Sequence, residues 1–103
     1  MIDLSELEHE KALGDALERL KTNPDYILLI ETEYLRNFPA QLAMALGADN
    51  TQHDEAQTRI KKGIDGVGAF SNFINRVRID GMSATASIKA VDEGEFADDE
   101  ENY

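Results

Sequence analysis

The sequence predicts an all-α fold, a small three- to four-helix domain over residues 1–81. A Ser/Ala-rich linker and an acidic, flexible tail follow over 82–103. Three observations carry this. Apolar residues recur at helical spacing over 13–20 and 60–77. Helix start and stop residues, among them Ser5, Asn23-Pro24, Gly47 and Gly81, punctuate those stretches. The one strand-like run, Tyr26 to Ile30, has no second clear strand to pair with.

The first helix is expected from about Glu6 to Lys21. Ser5-Glu6-Leu7-Glu8 reads as a capping box, with Ser5 accepting a free amide and Glu8 reaching back. Leu13, Ala16, Leu17 and Leu20 then fall on one face. Pro24 stops this helix, because proline lacks the amide proton and its ring clashes with the preceding turn. The same residues start the next one: Asn23 caps, Pro24 fits the first helical position and Asp25 complements the helix dipole. The apolar run Tyr26 to Ile30 follows as a short helix.

Pro39 disfavours helix at Phe38, so a third helix is expected over Pro39 to Leu46, with Gly47 closing it as a left-handed cap. The longest element is expected over 51–79, capped by Thr51 or Asn50 and stopped by Gly81. Ile60, Ile64, Val67, Ile74 and Val77 keep helical spacing along it, with Phe70 and Phe73 beside them. Gly63, Gly66 and Gly68 each cost about 1 kcal/mol against alanine in a helix interior, so a kink or break near 66–68 is allowed for. Met82 to Ala90 is read as a weak helix extension or a linker. The core is expected to gather Leu13, Leu17, Leu20, Ile27, Ile30, Leu42, Ile64, Val67 and Ile74.

Composition narrows the function classes. Net charge is −11, and residues 91–103 hold seven acidic and no basic side chains. Such a balance opposes nonspecific binding to DNA or anionic membranes and favours basic partners. Cysteine is absent, which excludes disulfides and thiolate metal sites and is compatible with a reducing compartment. The N-terminal stretch lacks a basic region followed by an apolar run, so no signal peptide is expected. No stretch approaches the roughly 20 apolar residues of a membrane span.

Motif by motif, the chemistry is sparse. Gly63-Ile64-Asp65-Gly66-Val67-Gly68 has the glycines of a phosphate loop, but Ala69 and Phe70 stand where Lys-Ser or Lys-Thr would follow. No cofactor is expected. His9 and His53 lie far from any second ligand at metal spacing, so no metal is expected either. No nucleophile constellation is present, and an enzyme is not expected. Arg59, Lys61, Lys62, Arg76 and Arg78 make up half of the basic residues. They read as a solvated face, a phosphate binder or a receiver of the acidic tail. Small residues on the same helix allow another helix or chain to approach closely. The partner-binding candidates are therefore Ile60, Gly63, Ile64, Val67, Phe70 and Phe73, with Phe96 and Tyr103 as docking points in an otherwise acidic tail.

The order of signals resembles a family of short acidic proteins of tailed bacteriophages, encoded in the virion-assembly region. The matching residues are Leu13-Gly14-Asp15-Ala16-Leu17-Glu18-Arg19-Leu20, Asn23-Pro24-Asp25-Tyr26 and Tyr34-Leu35, within about residues 11–80. Glu33-Tyr34 stands where relatives tend to have Gly-Tyr. The resemblance implies a small structural or assembly role and no catalytic residues. The leading expectation is a virion component or assembly factor acting through protein partners, with homo-oligomers allowed. It would sit in the host cytoplasm or on the virion. The alternative is an acidic nucleic-acid mimic that inhibits a host enzyme. A basic-helix DNA binder is disfavoured by the net charge.

Overall fold

The computed structural model describes the backbone of residues 3–101 and the side chains of residues 3–93. It is all-α, with no strand among the described residues. Helix α1 spans Leu4–Leu20. A continuous helical stretch then runs from 24 to 46: α2 (Pro24–Tyr26), a π-helical segment (Ile27–Asn37) and α3 (Phe38–Leu46). A 3₁₀ turn at Asp49–Thr51 leads into α4, Asp54–Glu101.

The caps explain where these elements begin. Asp3 starts α1, its carboxylate accepting from the Ser5 and Glu6 amides at 3.1 and 3.3 Å. The helix thus begins earlier than a Ser5 capping box would place it. Asn23 caps α2 as its side chain predicts, accepting from the Asp25 amide at 2.8 Å and the Tyr26 amide at 3.4 Å. The cap of α4 is His53 rather than Thr51 or Asn50: its Nδ1 accepts from the Ala56 amide at 3.3 Å. Thr51 instead turns its hydroxyl back to the preceding helix end, donating to the Ala45 and Ala48 carbonyls. Gly47 ends α3 in the right-handed region, at φ −94° and ψ −2°, and not as a left-handed cap. Thr51, Gln52 and Gln57 side chains satisfy the carbonyls at that end, so no left-handed turn is required.

Phe38 is helical, with φ −63° and ψ −49°, although Pro39 follows it. The widened π turns just before Pro39 account for this. The Phe38 amide donates to the Glu33 carbonyl, five residues back, and the wider spiral gives the ring room that an α turn denies it. No break occurs at Gly66 or Gly68, and the Ser/Ala-rich stretch from Met82 belongs to α4.

Two compact units result: Met1–Arg19 with Asn75–Tyr103, and Leu20–Ile74. This division differs from the boundary at 81 read from composition. The first unit pairs α1 with the later part of α4. Gly14 and Gly81 meet backbone to backbone, where a Cβ added to Gly81 would lie 2.8 Å from the Gly14 Cα. A Cβ on Gly14 would face Gly81 and the Val77 carbonyl, and one on Gly81 would face Gly14 and the Glu10 carbonyl.

In the second unit the 24–46 stretch packs on the first part of α4, antiparallel to it. Tyr34 meets Phe70, and Leu42 meets Gly63. Among the described residues the buried apolar side chains are few: Leu17 and Ala84 in the first unit, Ala56, Ile60 and Val67 in the second. Of the expected core, only Leu17 and Val67 are buried. Leu13, Leu20 and Ile27 are 43%, 44% and 38% exposed. Ile30, Leu42, Ile64 and Ile74 are half-buried. Ala84 and Ala56, at 1% and 4% exposure, are buried where the sequence placed no core residue.

Candidate interaction surface

In the second unit, the aromatic residues of the π segment and α4 form one cluster. Tyr34 stacks on Phe38 with ring centres 6.0 Å apart and meets Phe70 edge-on at 5.4 Å. Such geometry adds roughly 0.5–1.5 kcal/mol per pair beyond area burial. Tyr34 and Phe38 are four residues apart, a spacing that places them on one side of an α turn or a π turn alike. Leu42 fills the notch at Gly63: a Cβ there would sit 2.9 Å from its Cδ1.

The partner-binding candidates therefore divide. Ile60 and Val67 are buried, and Gly63, Ile64 and Phe70 are half-buried. Gly63 and Phe70 face Leu42 and Tyr34 of the same chain. That part of the α4 face is occupied by the protein's own helical stretch. Phe73 remains outward, 59% exposed. Phe96 and Tyr103 lie outside the residues whose side chains are described. Four large residues that the sequence reading did not single out for binding are more exposed than Phe73: Leu28 at 62%, Leu29 at 65%, Met44 at 78% and Met82 at 63%. The signal was available. Five consecutive apolar residues, Tyr26 to Ile30, exceed what one helical face can bury.

In the first unit a cleft of about 340 Å³ lies along the α1–α4 pair. Gly14, Gly81, Met82 and Ala86 give it an apolar lining; Asp15 and Glu18 edge it from α1, and Arg78 and Lys89 from α4. The charges are largely engaged locally. Lys11 pairs with Asp15 at 2.9 Å and Lys89 reaches Glu93 at 3.9 Å, while Arg78 donates to the Asn75 side chain at 2.7 Å. Exposed pairs of this kind are worth about 0–1 kcal/mol. Met82 is 63% exposed.

Arg59, Lys61, Lys62 and Arg76 are exposed, and Arg59 approaches Glu55 at 3.9 Å. Burial, and then the Glu31 carboxylate, push the Tyr26 phenol above the ordinary 10.0. Among the described residues no group of three or more His, Cys, Asp or Glu is arranged to hold a metal ion. No helix among them is long and apolar enough to cross a membrane. The arrangement offers apolar contact surface bordered by separated acidic and basic edges. No protein family, curated protein or solved structure matches this chain.

Proposed function

We propose that this protein is a non-enzymatic interaction protein of the tailed-phage type, a virion component or assembly factor that works through protein contacts in the host cytoplasm or on the virion. One observation carries the interaction reading: large apolar side chains face outward while the buried core is small. Leu28, Leu29, Met44, Phe73 and Met82 are each 59% exposed or more, against a core of Leu17, Ala56, Ile60, Val67 and Ala84. Exposed apolar surface on that scale marks protein contact sites, and partner binding would add stability by mass action. The resemblance over about residues 11–80 supports the phage part of the reading.

Tagged protein recovered from infected cells, with mass spectrometry of purified virions and assembly intermediates, tests it. Co-purification with virion proteins is expected, and weakened recovery for Leu28→Asp with Leu29→Asp. Recovery of host proteins alone would refute the assembly role. The net charge of −11 favours a second reading, a nucleic-acid mimic acting on a basic host enzyme. Deleting residues 91–103 separates the two: it abolishes host-enzyme binding if the tail is the mimic and leaves virion-protein binding in place if it is not.

A further inference from the structure

We infer that Pro39 is a register pin: it holds residues 27–37 in the π spiral and so keeps Leu28 turned to solvent, on the same side of the stretch as Met44. The juxtaposition that carries it is a proline just beyond 11 π-helical residues, with exposed leucines at their start. An α-helix turns about 100° per residue. A π turn, closed from the fifth residue back, turns less, about 85°. In the sequence Leu28, Leu35 and Leu42 stand seven apart, and residues so spaced share one side of an α-helix. Leu42 meets Gly63 of α4. In an all-α stretch Leu28 would lie about 40° from Leu42 and turn toward α4 with it. In the structure, with π steps from 28 to 38 and α steps beyond, Leu28 stands about 170° from Leu42. Met44, about 200° round from Leu42, falls on that same outward side. The exposures agree: Leu28 is 62% and Met44 78% exposed, while Leu42 is half-buried. Tyr34, about 20° from Leu42 by the same count, packs on α4 against Phe70. In an α register Tyr34 and Leu42 would diverge by about 80°.

What selects the wider spiral is local. In an α register Pro39 offers no amide to the Leu35 carbonyl, and its ring strikes that carbonyl. In the π register the Phe38 amide donates to the Glu33 carbonyl instead. The same turn is tied by the Asn37 side chain, which donates to the Glu33 carboxylate at 2.8 Å. Runs of π-helix are rare, and the α-helix is the default spiral. With alanine at 39 the missing amide returns and the ring is gone, so the α register regains its advantage. Turning Leu28 toward α4 would then bury apolar surface that now faces water. The use of this device, presenting an apolar ridge to a partner, rests on the interaction-protein reading. Its existence does not.

The chain has no cysteine, so one introduced thiol reports one position. Leu28→Cys and Met44→Cys, each alone and each combined with Pro39→Ala, are reacted with a maleimide and the rates compared. Position 44 lies in α3 beyond the proline and keeps its side of the helix. Pro39→Ala is expected to slow the thiol at 28 about tenfold and to leave that at 44 within about twofold. In parallel, NMR couplings across hydrogen bonds identify the acceptor of the Phe38 amide. Glu33 is expected in the wild type and Tyr34 in Pro39→Ala. A wild type with Tyr34 as acceptor overturns the proposal, whether or not the variant folds. So does a variant that keeps Glu33, an unchanged rate at 28, or rates that shift alike at both positions. Neither readout needs a partner. Failure of the register therefore leaves the interaction reading standing, and a confirmed register with no virion protein recovered counts against that reading alone.

Discussion

Glycine to alanine along α4 separates helix propensity from helix contact. At every interior position the substitution gains about 1 kcal/mol of helix propensity. What differs is the surroundings. At Gly68 an added Cβ meets nothing within 4 Å, so Gly68→Ala is expected to stabilise by nearly the full amount. At Gly81 the same methyl would lie 2.8 Å from the Gly14 Cα and 3.4 Å from the Glu10 carbonyl oxygen. Backbone cannot swing aside as a side-chain tip can, so α1 and α4 must separate. Overpacking of this kind costs about 1–3 kcal/mol. Net, Gly81→Ala is neutral to destabilising by about 2 kcal/mol, and the two variants differ by about 1–3 kcal/mol. That difference corresponds to a separation in Tm of at least about 4–8 °C. Thermal and urea melts followed by circular dichroism, at one protein concentration, measure it. If Gly81→Ala gains as much stability as Gly68→Ala, the close Gly14–Gly81 crossing is refuted.

Further outcomes follow from the packing and the caps. Leu17, 3% exposed, is the larger of the two apolar side chains buried among the described residues of the first unit, and Leu17→Ala should destabilise by about 2–5 kcal/mol in urea unfolding. Asn23→Ala removes the acceptor for the Asp25 and Tyr26 amides and should cost about 1 kcal/mol, read by the same melts. Absorbance titration near 295 nm should show Tyr26 ionising above the ordinary 10.0, a step that Tyr26→Phe removes. Since the folded state holds this proton more tightly, its contribution is present below pH 10 and is lost as pH rises through the folded pKa.

How much of this was legible in the residues depends on the range of the interaction. Asn23-Pro24-Asp25 announced a helix start, and the Asn23 side chain caps there. The cap at Asp3 was missed because Ser5 with Glu8 offered a better-known pattern. His53 was missed because imidazole is a rare acceptor at that position. Pro39 signals a boundary for an α turn, whereas the π segment before it accommodates the proline ring. For the candidate surface, Phe73 is outward as a contact residue needs to be, while Ile60 and Val67 are buried within the chain's own fold. Helical periodicity identifies an apolar face but carries no label for what covers it.

The sequence by itself determined the helical class, the start at Asn23 and the acidic charge. These depend on local backbone preferences and on composition, which need no partner to be defined. Only the tertiary structure decided that Gly14 and Gly81 meet, that Leu42 fills the notch at Gly63, and that Leu28, Leu29 and Met44 face outward. Those outcomes turn on which distant segments share a surface, and a periodic pattern is compatible with many such pairings. The glycines of α4 make the point concretely. Read along the chain, Gly63, Gly66 and Gly68 are equivalent weak points in a helix and Gly81 is a stop. In the fold, Gly81 is seated against another backbone, Gly63 against a leucine, Gly66 near the Tyr34 hydroxyl at 3.9 Å and Gly68 against nothing within 4 Å.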